Sequence, residues 1–168
     1  MLIGNYFKNV NLSFKNHKFS GISFNSNNCK KNDIFFAIKG NNLNGNNFIN
    51  HAINKGAKTV VSNIKYEGFK KDVLFIRTNN VRRLLSETVS KIYRKKPKNL
   101  VAVTGTNGKS SIADFYLQIL KLNKKKVASI GTLGVISNNF NLKLENTTSD
   151  PITINKLLFK LKKKKLIM

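Results

Sequence analysis

Short apolar runs alternate with helix-like periodicity in the first half of this 168-residue chain. Residues 33–39 (DIFFAIK), 58–62 (KTVVS) and 73–76 (VLFI) are rich in β-branched or aromatic residues, which is typical of buried strands. Apolar residues at helical spacing follow the first and third runs: Phe48, Ile49, Ala52 and Ile53, then Val81, Leu84, Leu85, Val89, Ile92 and Tyr93. Gly56 stands where the first helix would be capped. The pattern predicts an α/β fold.

The alternation continues after residues 94–98 (RKKPK), where charge and a proline indicate a domain boundary. Residues 100–103 (LVAV) and 126–130 (KVASI) predict two more strands. Apolar residues at helical spacing predict a helix after the first of these strands: Ile112, Phe115, Tyr116, Ile119 and Leu120. A last helix is predicted to begin at Asp150 as N-cap and Pro151 as first helical residue, and to continue through Ile154, Leu157, Leu158 and Leu161. We therefore expect two domains, 1–96 and 97–168, with largely parallel sheets. A strand pattern beginning at residues 166–168 suggests that the chain is truncated.

The most specific chemical motif is TGTNGKSS at residues 104–111, between a predicted strand and a predicted helix. Glycines there let the backbone turn tightly towards phosphates, and the helix N-terminus attracts anionic oxygens. Lys109 can reach the β- and γ-phosphates of ATP, and the Ser110 hydroxyl can join the shell of a Mg²⁺ ion. Val103 replaces the first glycine of the general pattern. The predicted nucleotide site comprises Gly105, Thr106, Asn107, Gly108, Lys109, Ser110 and Ser111.

The net charge of +24, from 31 Lys and Arg against seven Asp and Glu, is unusual. Such a charge can indicate binding to nucleic acid or to an anionic membrane. The lysines, however, are scattered over every segment, and Lys, Asn, Ile and Phe are abundant while Trp is absent, as in proteins from A/T-rich genomes. We favour compositional drift on solvated faces over nucleic-acid binding, and the positive field would also attract an anionic substrate.

The remaining composition favours a cytoplasmic protein, which we also expect to be a monomer. A single cysteine, Cys29, allows no internal disulfide, which fits a reducing compartment. The N-terminus lacks the pattern of a signal peptide, and no apolar run is long enough for a membrane span. His17 and His51 are isolated, without the companions of a zinc site, and are interpreted as surface or packing residues.

Several segments resemble the Mur ligases in the order that the family has them. TGTNGKS is similar to the ATP loop of these enzymes and of the related folylpolyglutamate synthases. Residues 20–26 (SGISFNS), 33–40 (DIFFAIKG) and 45–49 (GNNFI) resemble the opening of the Mur ligase N-terminal domain. Residues 131–134 (GTLG) and 146–151 (NTTSDP) resemble the branch that adds the third amino acid of the peptidoglycan peptide. The resemblance covers nearly the whole chain.

The resemblance implies a small Mur-type N-terminal α/β domain that binds the UDP substrate, followed by the first part of a P-loop, Rossmann-like ATP-binding domain. It implies an ATP- and Mg²⁺-dependent ligase that joins an amino acid, expected to be meso-diaminopimelate, to UDP-MurNAc-L-Ala-D-Glu through an acyl phosphate. Lys109 would be the catalytic residue. The UDP part would contact Phe24, Ser26, Asn41, Asn42 and Leu43, and the muramoyl-peptide part Asn146, Thr147 and Thr148.

The chain departs from the family at three points. Asn25-Ser26-Asn27 replaces the usual Asp-Ser-Arg, and Asn44-Gly45 replaces Asp-Gly, so charges are lost at both places. The family's metal-binding glutamate, modified lysine and amino-acid-binding domain would lie beyond Met168. We therefore expect little or no ligase activity from this chain alone.

Other interpretations remain open at this stage. The Asn-rich loop and Ser26 could be ordinary turn residues, and Thr147 and Thr148 could merely precede the helix cap. A non-catalytic nucleotide- or RNA-binding module would account for the charge, although no aromatic RNA-binding strand is present. A folylpolyglutamate-type ligase would share the ATP loop, but not the UDP-type opening domain.

Overall fold

The computed structural model describes residues 1–144 and 150–163, which form two compact units that meet in sequence between Ile92 and Tyr93. The strands and helices of the first unit are β1 Ile22–Ser23, β2 Ile34–Phe36, α1 Ile49–Asn54, β3 Thr59–Ser62, β4 Gly68–Lys70, β5 Val73–Arg77 and α2 Val81–Ile92. The described elements of the second unit are α3 Lys109–Leu122, β6 Ala128–Gly131, β7 Gly134–Ser137, β8 Asn141–Leu142 and α4 Pro151–Lys163. The assignment of residues 1–96 to the UDP substrate and 97–168 to ATP stays a prediction.

The first unit is built on one five-stranded sheet in the order β1-β2-β3-β5-β4. Neighbouring strands run parallel except β4, which pairs antiparallel with β5 at the edge. Every residue of β2 and β3 is buried, as expected for parallel strands covered on both faces. The α/β fold predicted from the apolar runs is therefore confirmed.

The core of the first unit joins one face of the sheet to α1. Phe35 and Val60 pair in register on β2 and β3, and they pack in one cluster with Ile49 and Ala52 of α1. Gly56 ends α1 at a φ of 109°, a left-handed conformation that glycine adopts readily, and its amide donates to the carbonyl of Ile53. The predicted helix cap is thus present.

Thr59 carries a hydroxyl without a partner in the centre of the parallel sheet. Its side chain is fully buried, and its Oγ1 has no hydrogen bond among the described residues. Replacing it with the isosteric valine removes the desolvation cost of the hydroxyl, so we expect Thr59→Val to raise the free energy of unfolding by about 1 kcal/mol. Urea unfolding followed by circular dichroism measures the change.

Thr88 provides the matched control for this substitution. It is equally buried, but its hydroxyl donates to the carbonyl of Leu84 at 2.7 Å. Thr88→Val therefore loses a formed hydrogen bond and should be neutral or destabilising. An equal gain from both substitutions would show that hydrophobicity, and not the unpaired hydroxyl, is responsible.

The second unit contains an antiparallel sheet that the alternation of strands and helices did not indicate. β6, β7 and β8 pair in that order, and Gly134 begins β7 at a φ of 91°. The apolar face of α4 packs on this sheet, with Leu157 and Leu161 in one cluster with Ala128 and Val135. The expectation of largely parallel sheets was wrong here, because the two-residue turn at residues 132–133 returns the chain directly.

Asp150 caps α4 as predicted. Its carboxylate accepts hydrogen bonds from the amides of Ile152 at 2.8 Å and Thr153 at 3.0 Å, and Pro151 occupies the first helical position. The cap satisfies two amides that the first turn of the helix leaves unpaired. The strand predicted to begin at residues 166–168 lies outside the described residues.

The strand predicted at residues 100–103 is absent from the structure. Those residues have no regular secondary structure, and Leu100 and Val101 are about half exposed. An apolar run indicates only that a segment can be buried, whereas a strand also needs a neighbour for its backbone hydrogen bonds. None of the described strands of this unit pairs with residues 100–103.

Helix α3 forms where its periodicity predicted, but its apolar face is exposed. Leu117 is the buried residue of this helix, while Phe115 is 62% exposed. The other exposed apolar side chains are Ile112, Tyr116, Ile119 and Leu122. The spacing correctly predicted a helix, but most of the apolar side chains on its face are not covered by other described residues.

The exposure of α3 leads to a prediction about surface substitutions. Phe115→Gln combined with Ile119→Gln should change the free energy of unfolding by no more than about 0.5 kcal/mol, because neither side chain is buried. The pair should also lower the fluorescence of a bound apolar dye. Leu117→Ala is the control, and it should cost at least about 2 kcal/mol. A comparable loss from the glutamine pair would mean that the face is packed in solution.

Candidate functional site

The phosphate-binding motif forms an exposed loop that ends at the first residue of α3. Gly105 has a φ of 143° and Gly108 a φ of 75°, so both adopt backbone conformations that favour glycine. All residues from Thr104 to Ser111 are exposed to solvent. The first amide of this segment that bonds within the helix belongs to Ile112, which donates to the carbonyl of Gly108 at 3.0 Å. The amides of residues 109–111 precede it and can bind an anion.

Lys109 lies over its own loop. Its Nζ donates to the carbonyl oxygens of Gly105 and of Thr106, the latter at 3.0 Å. These contacts hold the ammonium beside the helix N-terminus, where the field of the helix also favours an anion. The arrangement therefore places a positive charge and free backbone donors together, which is the chemistry that a polyphosphate requires.

The structure brings all seven predicted nucleotide-site residues into this one loop and helical turn. Gly105, Thr106, Asn107 and Gly108 form the loop, and Lys109, Ser110 and Ser111 form the first turn of α3. The Ser110 hydroxyl is a hard oxygen donor of the kind that Mg²⁺ prefers. No group of three His, Cys, Asp or Glu side chains among the described residues could hold a metal ion.

The predicted UDP-binding residues lie in two loops at one edge of the parallel sheet. Phe24 and Ser26 follow β1, and residues 41–43 follow β2. Because β1 and β2 are adjacent and parallel, their carboxyl ends meet at the same edge, where α/β proteins commonly bind ligands. The structure thus places the two predicted groups on neighbouring strands.

Phe24 and Ser26 are positioned by a network of local hydrogen bonds. The Ser23 hydroxyl donates to the carbonyl of Asn25 at 2.7 Å, and the Asn25 side chain accepts from the amide of Asn27 at 3.0 Å. The asparagine thereby caps the 3-10 turn Ser26–Asn28. Phe24 keeps its ring partly exposed, whereas Ser26 is only 7% exposed.

The loop at residues 41–43 is closed by backbone contacts at its base. The amide of Gly40 donates to the carbonyl of Leu43 at 2.8 Å, and the amide of Gly45 donates to the carbonyl of Ile38 at 2.9 Å. Asn41, Asn42 and Leu43 are all exposed at its tip. The tip therefore presents polar amide groups to solvent from a firmly anchored base.

His51 is a residue of this edge that the sequence analysis missed. Its interpretation as a surface residue is correct, because His51 is exposed, but its Nδ1 also lies 3.0 Å from the Oγ of Ser26. The two residues are 25 positions apart, and a lone histidine in a short helix carries no sequence pattern that indicates such a contact.

Cys29 lies beside this network, and its thiol donates to the carbonyl of Asn25 at 3.7 Å. Burial raises the pKa of the thiol. The side chain packs in the core of the first unit. The predicted site residues Asn146, Thr147 and Thr148 lie outside the described residues.

The parallel sheet defines an α/β protein, and the loop at the start of α3 has the glycines, lysine and serines of a phosphate-binding motif. Two family models agree with this class: "Mur ligase family, catalytic domain" matches residues 18–93, and "Mur ligase middle domain" matches residues 103–168. Between them they account for most of the chain, in the order that the sequence resemblance indicated. The chain belongs to the Mur ligase family.

Curated relatives are ligases named for one reaction. The UDP-N-acetylmuramoyl-L-alanyl-D-glutamate–2,6-diaminopimelate ligase of Rickettsia prowazekii is 46% identical over 76% of this chain and 26% of its own length. The enzyme of the same name from Rickettsia felis is 43% identical over 89% of this chain and 29% of its own length. The chain thus spans between a quarter and a third of these relatives.

Solved structures show the same fold. A UDP-N-acetylmuramoyl-L-alanyl-D-glutamate–2,6-diaminopimelate ligase aligns with a TM-score of 0.76 at 22% identity, over 99% of this chain and 34% of the other. The MurF ligase from Thermotoga maritima in complex with ADP aligns with a TM-score of 0.52 at 23% identity, over 80% of this chain and 28% of its own. No helix among the described residues is long and apolar enough to cross a membrane.

Proposed function

We propose that this chain provides the UDP-substrate and ATP-phosphate sites of a cytoplasmic, monomeric ligase that adds meso-diaminopimelate to UDP-MurNAc-L-Ala-D-Glu. The observation that carries the proposal is the loop before α3, where Lys109 and the free amides of the first helical turn lie together. The shared name of the Rickettsia relatives supports the particular substrate and amino acid.

The proposed reaction assigns a distinct task to each part of the chain. ATP would activate the terminal carboxylate of the substrate as an acyl phosphate, which the incoming amine then displaces. Lys109 and the amides of residues 109–111 would bind and orient the phosphates, and Ser110 would contribute an oxygen to Mg²⁺. Phe24, Ser26 and residues 41–43 would bind the UDP part at the sheet edge, and residues 146–148 the muramoyl-peptide part.

Calorimetric titration of the full chain tests both sites separately. We expect saturable binding of ATP that weakens when Mg²⁺ is withheld, and independent saturable binding of UDP. Ser110→Ala should reduce the effect of Mg²⁺ on ATP binding while UDP binding is unchanged. Absence of saturable ATP binding would refute the nucleotide part of the proposal, and absence of UDP binding the substrate part.

The family match of residues 18–93 and the shared name of the Rickettsia relatives argue against the folylpolyglutamate-type alternative. The RNA-binding alternative rests on the charge of +24, and the same preparation tests it. Binding of a homopolymeric RNA through scattered lysines should weaken steeply between low and moderate salt. Tight RNA binding that persists at moderate salt would favour the alternative over the ligase proposal.

A further inference from the structure

The contact between His51 and Ser26 joins the loop after β1 to α1, the helix that follows the loop at residues 41–43. Ser26 begins the 3-10 turn that follows β1, and His51 lies in α1, which continues directly from the 3-10 turn Gly45–Phe48. That second turn follows the loop at residues 41–43. The hydrogen bond between the Nδ1 of His51 and the Oγ of Ser26, 3.0 Å long, therefore connects the first turn to the helix that continues from the second.

We infer that His51 is a positioning residue for the UDP part of the substrate, and that it acts by donating its Nδ1–H to the hydroxyl oxygen of Ser26. The inference rests on the proposed function, because it concerns the same sheet edge. His51 itself would not need to touch the ligand.

The direction of the hydrogen bond follows from the chemistry of the ligand. A serine hydroxyl has one proton to donate, so it can donate either to His51 or to a ligand. The UDP part presents mostly acceptors, namely phosphate oxygens and carbonyl oxygens. If His51 donates, the single proton of Ser26 is free for such an acceptor. If His51 accepted instead, Ser26 would face the ligand with lone pairs only.

The burial of Ser26 increases the effect of its partner. Ser26 is only 7% exposed and its contact with the exposed His51 is part-buried, so fewer water molecules compete for the hydroxyl than at an exposed serine. The Asn25 cap also fixes the backbone at this position. The hydroxyl can still rotate, however, and a donor from His51 removes that freedom before the ligand arrives.

Binding of UDP to the full chain and three variants tests the inference. His51→Ala removes the donor and should weaken UDP binding by about tenfold, the effect of one hydrogen bond in a buried site. His51→Asn should restore most of the affinity, because the amide nitrogen of asparagine can occupy the place of Nδ1 and donate to Ser26. Ser26→Ala should lose at least as much as His51→Ala. Asn50→Ala, at an exposed neighbour on α1, is the control and should bind like the wild type.

The imidazole ¹⁵N chemical shifts of His51 provide a readout that a structural role alone would not change. We expect a protonated Nδ1 in the free chain and in its complex with UDP. The inference is supported if the wild type binds UDP, if Ser26→Ala and His51→Ala both lose UDP affinity, and if His51→Asn regains most of it. Wild-type binding that His51→Ala leaves unchanged, or an unprotonated Nδ1, overturns it while the proposed function stands. Failure of the wild type to bind UDP overturns the substrate part of the proposed function, and this inference with it.

Discussion

Lys109→Ala should weaken the binding of ATP by at least about tenfold. The ammonium group of Lys109 is held beside the N-terminus of α3 by the carbonyls of Gly105 and Thr106. Its removal eliminates charge-assisted hydrogen bonds to phosphate, each of which contributes about 1.5–3 kcal/mol. Calorimetric titration with ATP and Mg²⁺ measures the loss.

The same helix offers a control for the loss of positive charge. Lys121 lies in the last turn of α3, about 18 Å along the helix from Lys109 at 1.5 Å per residue. Lys121→Ala lowers the net charge equally but should leave ATP affinity within about twofold, since screening removes most of its field at that distance. Equal losses in both variants would mean that the overall charge of the chain, and not the loop, attracts the nucleotide. Neither variant should alter UDP binding.

Gly45→Ala should destabilise the first unit by about 3 kcal/mol, near the upper end of the range for overpacked sites. A methyl group at Gly45 would lie 2.5 Å from the amide nitrogen of Ile38 and 2.6 Å from the carbonyl carbon of Ala37. Both atoms belong to the backbone just after β2, so no side chain can rotate away. The clash must instead displace the base of the loop at residues 41–43. Urea unfolding measures the destabilisation, and UDP titration should show a parallel loss of affinity.

A second glycine separates the clash from the general effect of adding a methyl group. Gly131 lies in β6, and a methyl group there would have no atom within 4 Å outside its chain neighbours. Gly131→Ala should therefore change the free energy of unfolding by less than about 1 kcal/mol. If Gly45→Ala is as mild as this control, the loop base is not packed as the structure has it.

Local chemistry made much of the fold predictable from the amino-acid sequence. The apolar runs at residues 33–39, 58–62 and 73–76 contain β2, β3 and most of β5, because strands covered on both faces are rich in apolar side chains. Caps were equally predictable, since Asp150 and Gly56 act on the backbone within a few residues of their own positions. The phosphate loop belongs to the same class of local features.

Features that depend on partners distant in sequence were predicted incorrectly or not at all. The run at residues 100–103 was expected to be a strand, but no described strand pairs with it. The helical spacing of α3 gave no information on which of its apolar side chains are covered, and Phe115 and Ile119 are exposed. Periodicity describes what a segment can bury, while burial itself depends on which surface the rest of the chain brings to it.

The candidate site divides in the same way. Residue type and spacing were sufficient to predict the loop before α3, because its glycines, lysine and serines lie within eight consecutive residues, while phosphate binding by this loop stays a prediction. The sheet edge required the fold, because parallel pairing of β1 with β2 brings Ser26 and residues 41–43 to one side. The contact of His51 with Ser26 also required the fold, because the two residues are 25 positions apart and meet only when α1 packs beside the turn after β1. Local hydrogen bonding and side-chain pattern are properties of a short segment, whereas the meeting of two segments is a property of the packed chain.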